Sequence, residues 1–297
     1  MISPRILLSL VLLASTGWAD TVAHPVMLWK IQGTSNSIYL LGSIHMLRAE
    51  DHPLPTVIDA AYDDAEVLIM EVDMDDLDAV ASQTAFVKAG VLQDDTTLRD
   101  LMGDDLYDQA LRAAAVIDIP LDMLSKTEPW YAAMTIEIMV LSRIGFNPVL
   151  GVEMHLLSKA VADGKPVEGL ETVEEQIGFL DGLSIAAQRD MLLTTLAEGA
   201  RTGDLMDDMI LAWRHGDTRY LESVLLESFA EHEELNRVLV TNRNQRWTQR
   251  IDTLLDDDND YLIIVGALHL VGGGGVPNLL ARKGFEIHQL SEPASVR

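Results

Sequence analysis

Apolar and polar residues alternate near the start of the chain in the pattern of a β-hairpin. The segments VMLWKIQ and SIYLLGSIH are separated by a polar turn at Gly33 to Ser37. Short apolar runs bounded by turn residues predict strands, and the second run is apolar enough to be buried in a sheet. LPTVIDAAYDDA then has helical spacing, and EVLIMEVDM has the short apolar run of a buried strand. The pattern predicts a strand, helix, strand unit that includes the hairpin.

Helical patterns dominate between about residues 76 and 255. In EPWYAAMTIEIMVLSRIG, Glu128 and Pro129 suit a first helical turn. GVEMHLLSKAVADGKPVEGLE predicts a helix followed by a short strand. Thr172 and Glu175 have capping-box spacing, which predicts that another helix begins there. Because no low-complexity linker interrupts this stretch, we expect a helical insertion lying over the sheet rather than a separate domain.

The end of the chain repeats the plan of its beginning. YLIIVGALH predicts a buried strand, GGGGVP a turn, PNLLARKG a helix and FEIHQL a final strand. SIYLLGSIHML and DYLIIVGALHLV both contain Gly-x-x-His, at Gly42 to His45 and at Gly266 to His269. We therefore expect an α/β fold whose central mixed β-sheet comes from two related α/β halves, with the helical insertion between them.

The first nineteen residues have the layout of a secretory signal peptide. Arg5 precedes an apolar run, and small residues lead up to Ala19. This layout predicts cleavage after about Ala19, a mature domain over 20–297 and a periplasmic or secreted protein. The apolar run is too short to span a bilayer, and no later segment has the apolar length of a membrane helix. We expect no stable membrane insertion after signal cleavage.

The net charge and the absence of cysteine exclude several classes of function. The net charge of −26 repels nucleic acid, so we expect no nucleic-acid partner, and it could concentrate cations or basic substrates. Runs such as Asp73 to Asp78 are interpreted as solvated surface. The chain has no cysteine, which excludes thiol catalysis and iron–sulfur clusters. Any metal must therefore be held by nitrogen and oxygen.

Three predicted strand ends carry residues that can bind a metal. They are His45, Glu71 and His269, and Asp73 competes with Glu71 two residues further along. Sites in open α/β sheets lie outside the carboxyl ends of the strands, so these side chains could converge. Two imidazoles and a carboxylate suit zinc, manganese or iron and leave positions open for water and substrate.

Other residues favour structural roles. Gly-x-Ser-x-Gly, His-Glu-x-x-His and Gly-Lys-Ser/Thr motifs are absent from the sequence, which argues against serine hydrolases, ordinary zincins and P-loop proteins. His155 could join a site beside Glu153, although a core or surface histidine is the commoner case. Trp130 and the nearby Tyr131, Met134 and Met139 have the spacing of core packing, and lining of a cleft stays open as an alternative.

Several segments together carry a family resemblance that extends from about Met27 to Leu290. They are Gly42 to His45, Glu71 in LIMEVDMD, Gly151 to Glu153, the Arg243-Asn244 pair before Trp247, and VGALHLVGGGGVPNLLARKGFEI. These segments resemble the TraB/GumN family, to which TIKI-type proteases and, more distantly, erythromycin-esterase-like hydrolases are related.

The resemblance implies a metal-dependent hydrolase centre on an α/β fold. It marks His45, Glu71 and His269 as metal ligands, with Arg243 and Asn244 as neighbours. The ion would be divalent, and manganese, zinc, cobalt and iron all remain candidates. Glu153 stands where the resemblance leads us to expect an aspartate, so its role as ligand or as partner of a ligand stays open.

These residues lead to a functional hypothesis with one alternative. A metal would acidify a bound water, Glu71 or Glu153 would take the proton, and Arg243 would stabilise the oxyanion. Arg243 could instead form a surface salt bridge, and Asn244 could cap or bridge backbone groups. We expect an exported metal-dependent hydrolase that acts on peptide or ester bonds of a peptide or small-molecule substrate in the cell envelope.

The alternative is a non-catalytic envelope binding protein for peptide, polysaccharide or metal, associated with polysaccharide biosynthesis. The sequence leaves the oligomeric state open.

Overall fold

The computed structural model of the protein describes residues 23–74, 78–227 and 232–293. The predicted signal segment and its cleavage point after Ala19 lie outside the described residues. Part of the acidic run from Asp73 to Asp78 lies outside them as well.

A six-stranded mixed sheet forms the centre of the described structure. Its strands are β1 (His24–Gln32), β2 (Ser37–Ser43), β3 (Val67–Val72), β4 (Val167–Glu171), β5 (Tyr261–Gly266) and β6 (Ile287–Glu292). They lie in the order β4-β3-β5-β2-β1-β6. Strands β2 to β5 are parallel, and β1 is antiparallel to both β2 and β6. The predicted mixed sheet and the predicted hairpin of β1 and β2 are confirmed.

The two Gly-x-x-His strands are neighbours in this sheet. Every residue of β2 and of β5 is buried, as the continuous apolar runs predict. Gly42 pairs with Val265, and Ser43 pairs with Gly266. Because the strands are parallel and nearly in register, both motifs leave the sheet at the same edge. The similar halves of the sequence therefore contribute adjacent central strands.

Thirteen α-helical segments surround the described sheet. They are α1 (Thr56–Asp64), α2 (Ala79–Gly90), α3 (Leu98–Met102), α4 (Asp104–Val116), α5 (Pro129–Arg143), α6 (Val152–Asp163), α7 (Val173–Asp181), α8 (Ile185–Glu198), α9 (Thr202–Arg214), α10 (Thr218–Glu227), α11 (Glu233–Asn236), α12 (Asn242–Leu254) and α13 (Val276–Arg282). A π-helical segment (Arg237–Thr241) joins α11 to α12. Short 3₁₀ turns cover Ala49–Asp51, Leu121–Leu124, Pro148–Leu150 and Ala267–Leu270.

Local sequence signals place several helix starts correctly. The helix α5 begins at Pro129, directly after Glu128. The predicted capping box is present at α7, where the Thr172 hydroxyl accepts from the Glu175 backbone N–H and the Glu175 carboxylate accepts from the Thr172 N–H. In α5, Trp130 is fully buried, as core packing predicts.

The predicted insertion at about 76–255 holds most of the helices and also strand β4, which lies at one edge of the sheet. Its helices α4, α5 and α8 enclose a second apolar core, to which Ala110, Ile136 and Leu192 belong. This helical layer therefore has packing of its own in addition to its contacts with the sheet. Within the described ranges, no helix has the length and apolar character needed to cross a membrane.

Candidate metal centre

Glu71 lies near the end of β3 and is held at both carboxylate oxygens. Oε1 accepts a 2.8 Å hydrogen bond from the Gly266 backbone N–H, and Oε2 accepts a 2.5 Å bond from Nη2 of Arg243. Burial alone would raise the pKa of Glu71, but the positive charges of Arg243 and His45 and the Gly266 N–H lower it to about 2. Glu71 is therefore an ionised carboxylate at neutral pH, and it contacts Arg243 and the Gly266 backbone.

His269 lies in the 3₁₀ turn that directly follows β5, and its ring is buried. Nδ1 is 2.6 Å from Oδ1 of Asn244, whose Nδ2 donates to the Gly274 carbonyl. Since Oδ1 can only accept, Nδ1 carries the imidazole proton. Nε2 therefore carries a lone pair that can accept a hydrogen bond. The Nε2 atom lies 3.2 Å from Nη1 of Arg243 and 3.9 Å from Oε1 of Glu71. Burial lowers the pKa of His269 to about 4, so the ring is neutral.

His45 follows β2 by two residues, and its side chain is 67% exposed at the mouth of the site. Nδ1 is 2.6 Å from Oε1 of Glu153, which lies in the first turn of α6 and also accepts from the Ser43 hydroxyl. The negative charge of Glu153 raises the pKa of His45 to about 10. Although burial would raise the pKa of Glu153, the charge of His45 lowers it below its ordinary value. Glu153 is thus the partner that orients His45.

Two glycines allow these groups to meet. A Cβ atom on Gly151 would lie 2.1 Å from the His45 carbonyl oxygen, so only glycine lets the start of α6 dock on the end of β2. A Cβ atom on Gly266 would lie 3.4 Å from Oε1 of Glu71 and 3.5 Å from Nε2 of His45. Nε2 of His45 therefore faces the same small space as Glu71, and Gly266 leaves that space open.

Arg243 is a buried ion-pair partner rather than the surface salt bridge that the sequence left as an alternative. Its side chain is 10% exposed, and Nη2 contacts both Glu71 at 2.5 Å and Glu171 at 2.8 Å. Nε also donates to Glu171. Arg243 lies just after the π-helical segment in the chain. Its guanidinium links the carboxylates at the ends of β3 and β4.

Glu171 is a site residue that sequence reasoning missed. It is the last residue of β4, its side chain is 1% exposed, and it accepts from Arg243, Arg246 and Nε1 of Trp247. VEGLE was predicted as a strand, so the same argument that selected the other strand ends could have selected Glu171. Gln176 was also missed, and its Nε2 donates to Glu71 at 3.2 Å.

The remaining histidine candidate lies outside this cluster. The ring of His155 packs against that of His52, with centroids 5.4 Å apart, beside a cavity that is also lined by Leu150 and Met154. His155 therefore has the structural surroundings that the sequence favoured for it.

The donor types fit a divalent ion, but Arg243 occupies part of the space. Among residues 23–74, 78–227 and 232–293, no three or more histidine or acidic side chains are arranged as a metal-holding group. Arg243 contacts both Nε2 of His269 and Oε2 of Glu71. Both histidines nevertheless have Nδ1 anchored and Nε2 directed inward, as metal-binding imidazoles do. The ligand role of His45, Glu71 and His269 stays a prediction.

The ends of parallel strands bring together two Gly-x-x-His motifs, an ionised glutamate and a buried arginine. This combination of groups defines the class of site. Comparison with protein families gives a match to the TraB/PrgY/gumN family over residues 27–289. The chain belongs to this family, as the resemblance implies.

Relatives include a bacterial protein and animal metalloproteases. The uncharacterized protein YbaP of Escherichia coli is 27% identical over 243 residues, which cover 82% of this chain and 87% of YbaP. Metalloprotease TIKI1 of Homo sapiens is 24% identical over 315 residues, covering 88% of this chain and 61% of TIKI1. Metalloprotease TIKI2 of Danio rerio is 28% identical over 168 residues, covering 48% of this chain and 32% of TIKI2. No solved structure matches the chain.

Proposed function

We propose that this protein is an exported metal-dependent hydrolase that cleaves peptide or ester bonds in the cell envelope. The observation that carries the proposal is the paired anchoring of His45 by Glu153 and of His269 by Asn244, which leaves both Nε2 atoms directed into the site. The distant likeness to TIKI metalloproteases supports hydrolysis. The signal-peptide layout of the first nineteen residues supports export.

His45, Glu71 and His269 would hold the ion through two imidazole nitrogens and one carboxylate, and binding of the ion would displace the Nε2 proton of His45. A bound divalent ion supplies a Lewis acid and lowers the pKa of water. The low pKa of Glu71 suits a ligand that stays ionised. Because a general base works best with a pKa near the working pH, the low pKa of Glu71 suits it poorly to accept the proton. We propose that Glu153 holds His45. A role of Glu153 as proton acceptor stays a prediction.

Arg243 connects ligand binding with charge stabilisation. Its Nη1 now donates towards Nε2 of His269 and to the Leu239 carbonyl. If Nε2 of His269 bound the ion, Nη1 would lose that acceptor and would become a donor inside the site. Glu171 keeps the guanidinium in place through Nε and Nη2. A substrate carbonyl oxygen that gains negative charge is a suitable acceptor for Nη1.

The same arginine favours one alternative function. Its contacts satisfy Glu71 and His269 without an ion, which is compatible with a non-catalytic binding protein for peptide, polysaccharide or metal.

A metal-reconstituted assay separates the two functions. The purified mature chain is freed of metal, loaded in turn with manganese, zinc, cobalt or iron, and incubated with panels of peptides and esters. Hydrolysis by wild type with at least one ion, and its loss in His269→Ala, would support the proposal. His288→Ala is the matched control, because this histidine is exposed on β6. Equal hydrolysis by His269→Ala, or ion binding without any hydrolysis, would contradict it.

A further inference from the structure

A cavity of about 240 Å³ lies within the helical layer. Helices α5, α8, α9 and α10 supply its walls, and its apolar lining includes Leu141, Met206, Met209 and Val224. Flexible methionine side chains adapt to ligands of different shape. This lining therefore suits apolar side chains of a peptide.

Two carboxylates, Glu137 on α5 and Glu198 on α8, interrupt the apolar lining. Neither forms a salt bridge with another part of the chain that the structure describes. Glu137 lines the cavity and remains accessible to solvent. Burial raises the pKa of Glu137, the positive charge of His45 opposes this rise, and the negative charge of Glu198 adds to it.

The cavity adjoins the candidate metal centre. The charge of His45 acts on Glu137, and the His45 ring is exposed. Helix α10, which contributes Val224 to the cavity, packs against the turn that carries His269. A peptide in the cavity would therefore extend towards the two histidines.

We propose that this cavity is the substrate cleft of the hydrolase and that it selects basic peptides. A lysine or arginine side chain lies between Glu137 and Glu198, and its apolar stem and apolar neighbours pack against Met206, Met209 and Val224. Long basic side chains combine such a stem with a charged head, which matches both parts of the lining. The net charge of −26 attracts the same peptides over longer distances. This inference rests on the proposed function.

Binding to metal-free protein tests the cleft without turnover. Isothermal titration calorimetry compares end-capped Leu-Ala-Lys-Ala-Leu with peptides that carry norleucine or glutamate in place of lysine. We expect wild type to bind the lysine peptide about tenfold more tightly than the norleucine peptide. Glu137→Gln/Glu198→Gln should lose this preference, and Glu137→Lys should favour the glutamate peptide. The control Asp95→Asn/Asp258→Asn removes two exposed charges outside the cavity and should keep the lysine preference.

Equal affinity of wild type for the lysine and norleucine peptides would overturn the inference, as would a lysine preference that survives in Glu137→Gln/Glu198→Gln. Circular dichroism checks that each variant is folded. Glu198 is exposed at the end of α8, so Glu198→Gln alone, which should weaken the preference, serves if the double variant unfolds. A lysine preference without cleavage by any metal-loaded form supports the cleft and contradicts the proposed function. Cleavage without lysine preference contradicts the cleft alone.

Discussion

Arg243 and Asn244 are consecutive residues of α12, and they contact the two opposite ring nitrogens of His269. Oδ1 of Asn244 lies 2.6 Å from Nδ1, and Nη1 of Arg243 lies 3.2 Å from Nε2. Trp247, one turn further along the helix, packs against the same ring with centroids 4.5 Å apart. The orientation of His269 is therefore set by one helix that approaches the end of β5 from outside the sheet.

Asn244→Ala should weaken metal binding by about tenfold to a hundredfold, because the imidazole loses the partner that fixes its tautomer and orientation. Titration of the metal-free protein with zinc or manganese measures the change. Asn278→Ala is the control, since Asn278 also donates to a carbonyl of the glycine-rich turn but does not touch His269. An unchanged affinity in Asn244→Ala would show that His269 is not a ligand held in this way.

Glu171→Ala should lower the free energy of unfolding by about 3 kcal/mol, because it leaves the charge of Arg243 buried with one partner fewer. Urea denaturation measures this loss. On the same strand, the carboxylate of Glu168 is 46% exposed and pairs with Arg250, so Glu168→Ala should cost less than about 1 kcal/mol. Similar losses in both variants would contradict the structural role given to Glu171.

Gly266→Ala should leave the fold intact and weaken metal binding. The added methyl group would be in ordinary contact with Glu71 and His45, so we expect the free energy of unfolding to change by less than about 1 kcal/mol. The methyl group would nevertheless occupy the space between the two side chains. We expect the affinity of Gly266→Ala for the metal ion to be at least about tenfold lower than that of Gly273→Ala, where the added methyl group meets nothing within 4 Å. Full affinity would place the ion elsewhere.

The pH dependence of stability should change when Glu292 is replaced. This carboxylate accepts from the first N–H groups of α1, at Thr56 and Val57. Burial would raise the pKa of Glu292, but hydrogen bonds from the Thr56 hydroxyl and from these two N–H groups lower it below its ordinary value of 4.5. Its contribution is therefore complete above pH 4.5 and is lost as the pH falls through the lowered pKa.

The free energy of unfolding of wild type should exceed that of Glu292→Gln by about 1 kcal/mol at neutral pH, and the two values should converge in acid. Urea denaturation over a pH series measures both curves. If the difference in the free energy of unfolding stayed constant down to the lowest pH, the hydrogen bonds of the Glu292 carboxylate would not be its source.

Local patterns predicted the elements and the central pair of motifs well. Continuous apolar runs ending in Gly-x-x-His identify buried strands, and parallel pairing then places Gly42 and Gly266 at one edge of the sheet. The residues that orient the histidines depend on contacts between distant segments. Glu153 lies 108 residues from His45 in the sequence, and its role follows from how α6 docks. Such docking is decided by tertiary packing, which periodicity does not encode.

Asn244 shows how far single residues could be interpreted. The sequence left open whether it neighbours the site or bridges backbone groups, and it does both, through His269 and the Gly274 carbonyl. Arg243 was considered either an oxyanion stabiliser or a surface ion pair. Its buried contact with Glu171 could not be anticipated without knowing that β3 and β4 are neighbours.

Metal content of the purified chain tests the central claim most directly. Elemental analysis after reconstitution should find about one divalent ion in each wild-type chain and none in His45→Ala/His269→Ala, with both proteins folded by circular dichroism. The same ion content in the double variant would contradict a shared site at the two Gly-x-x-His strand ends.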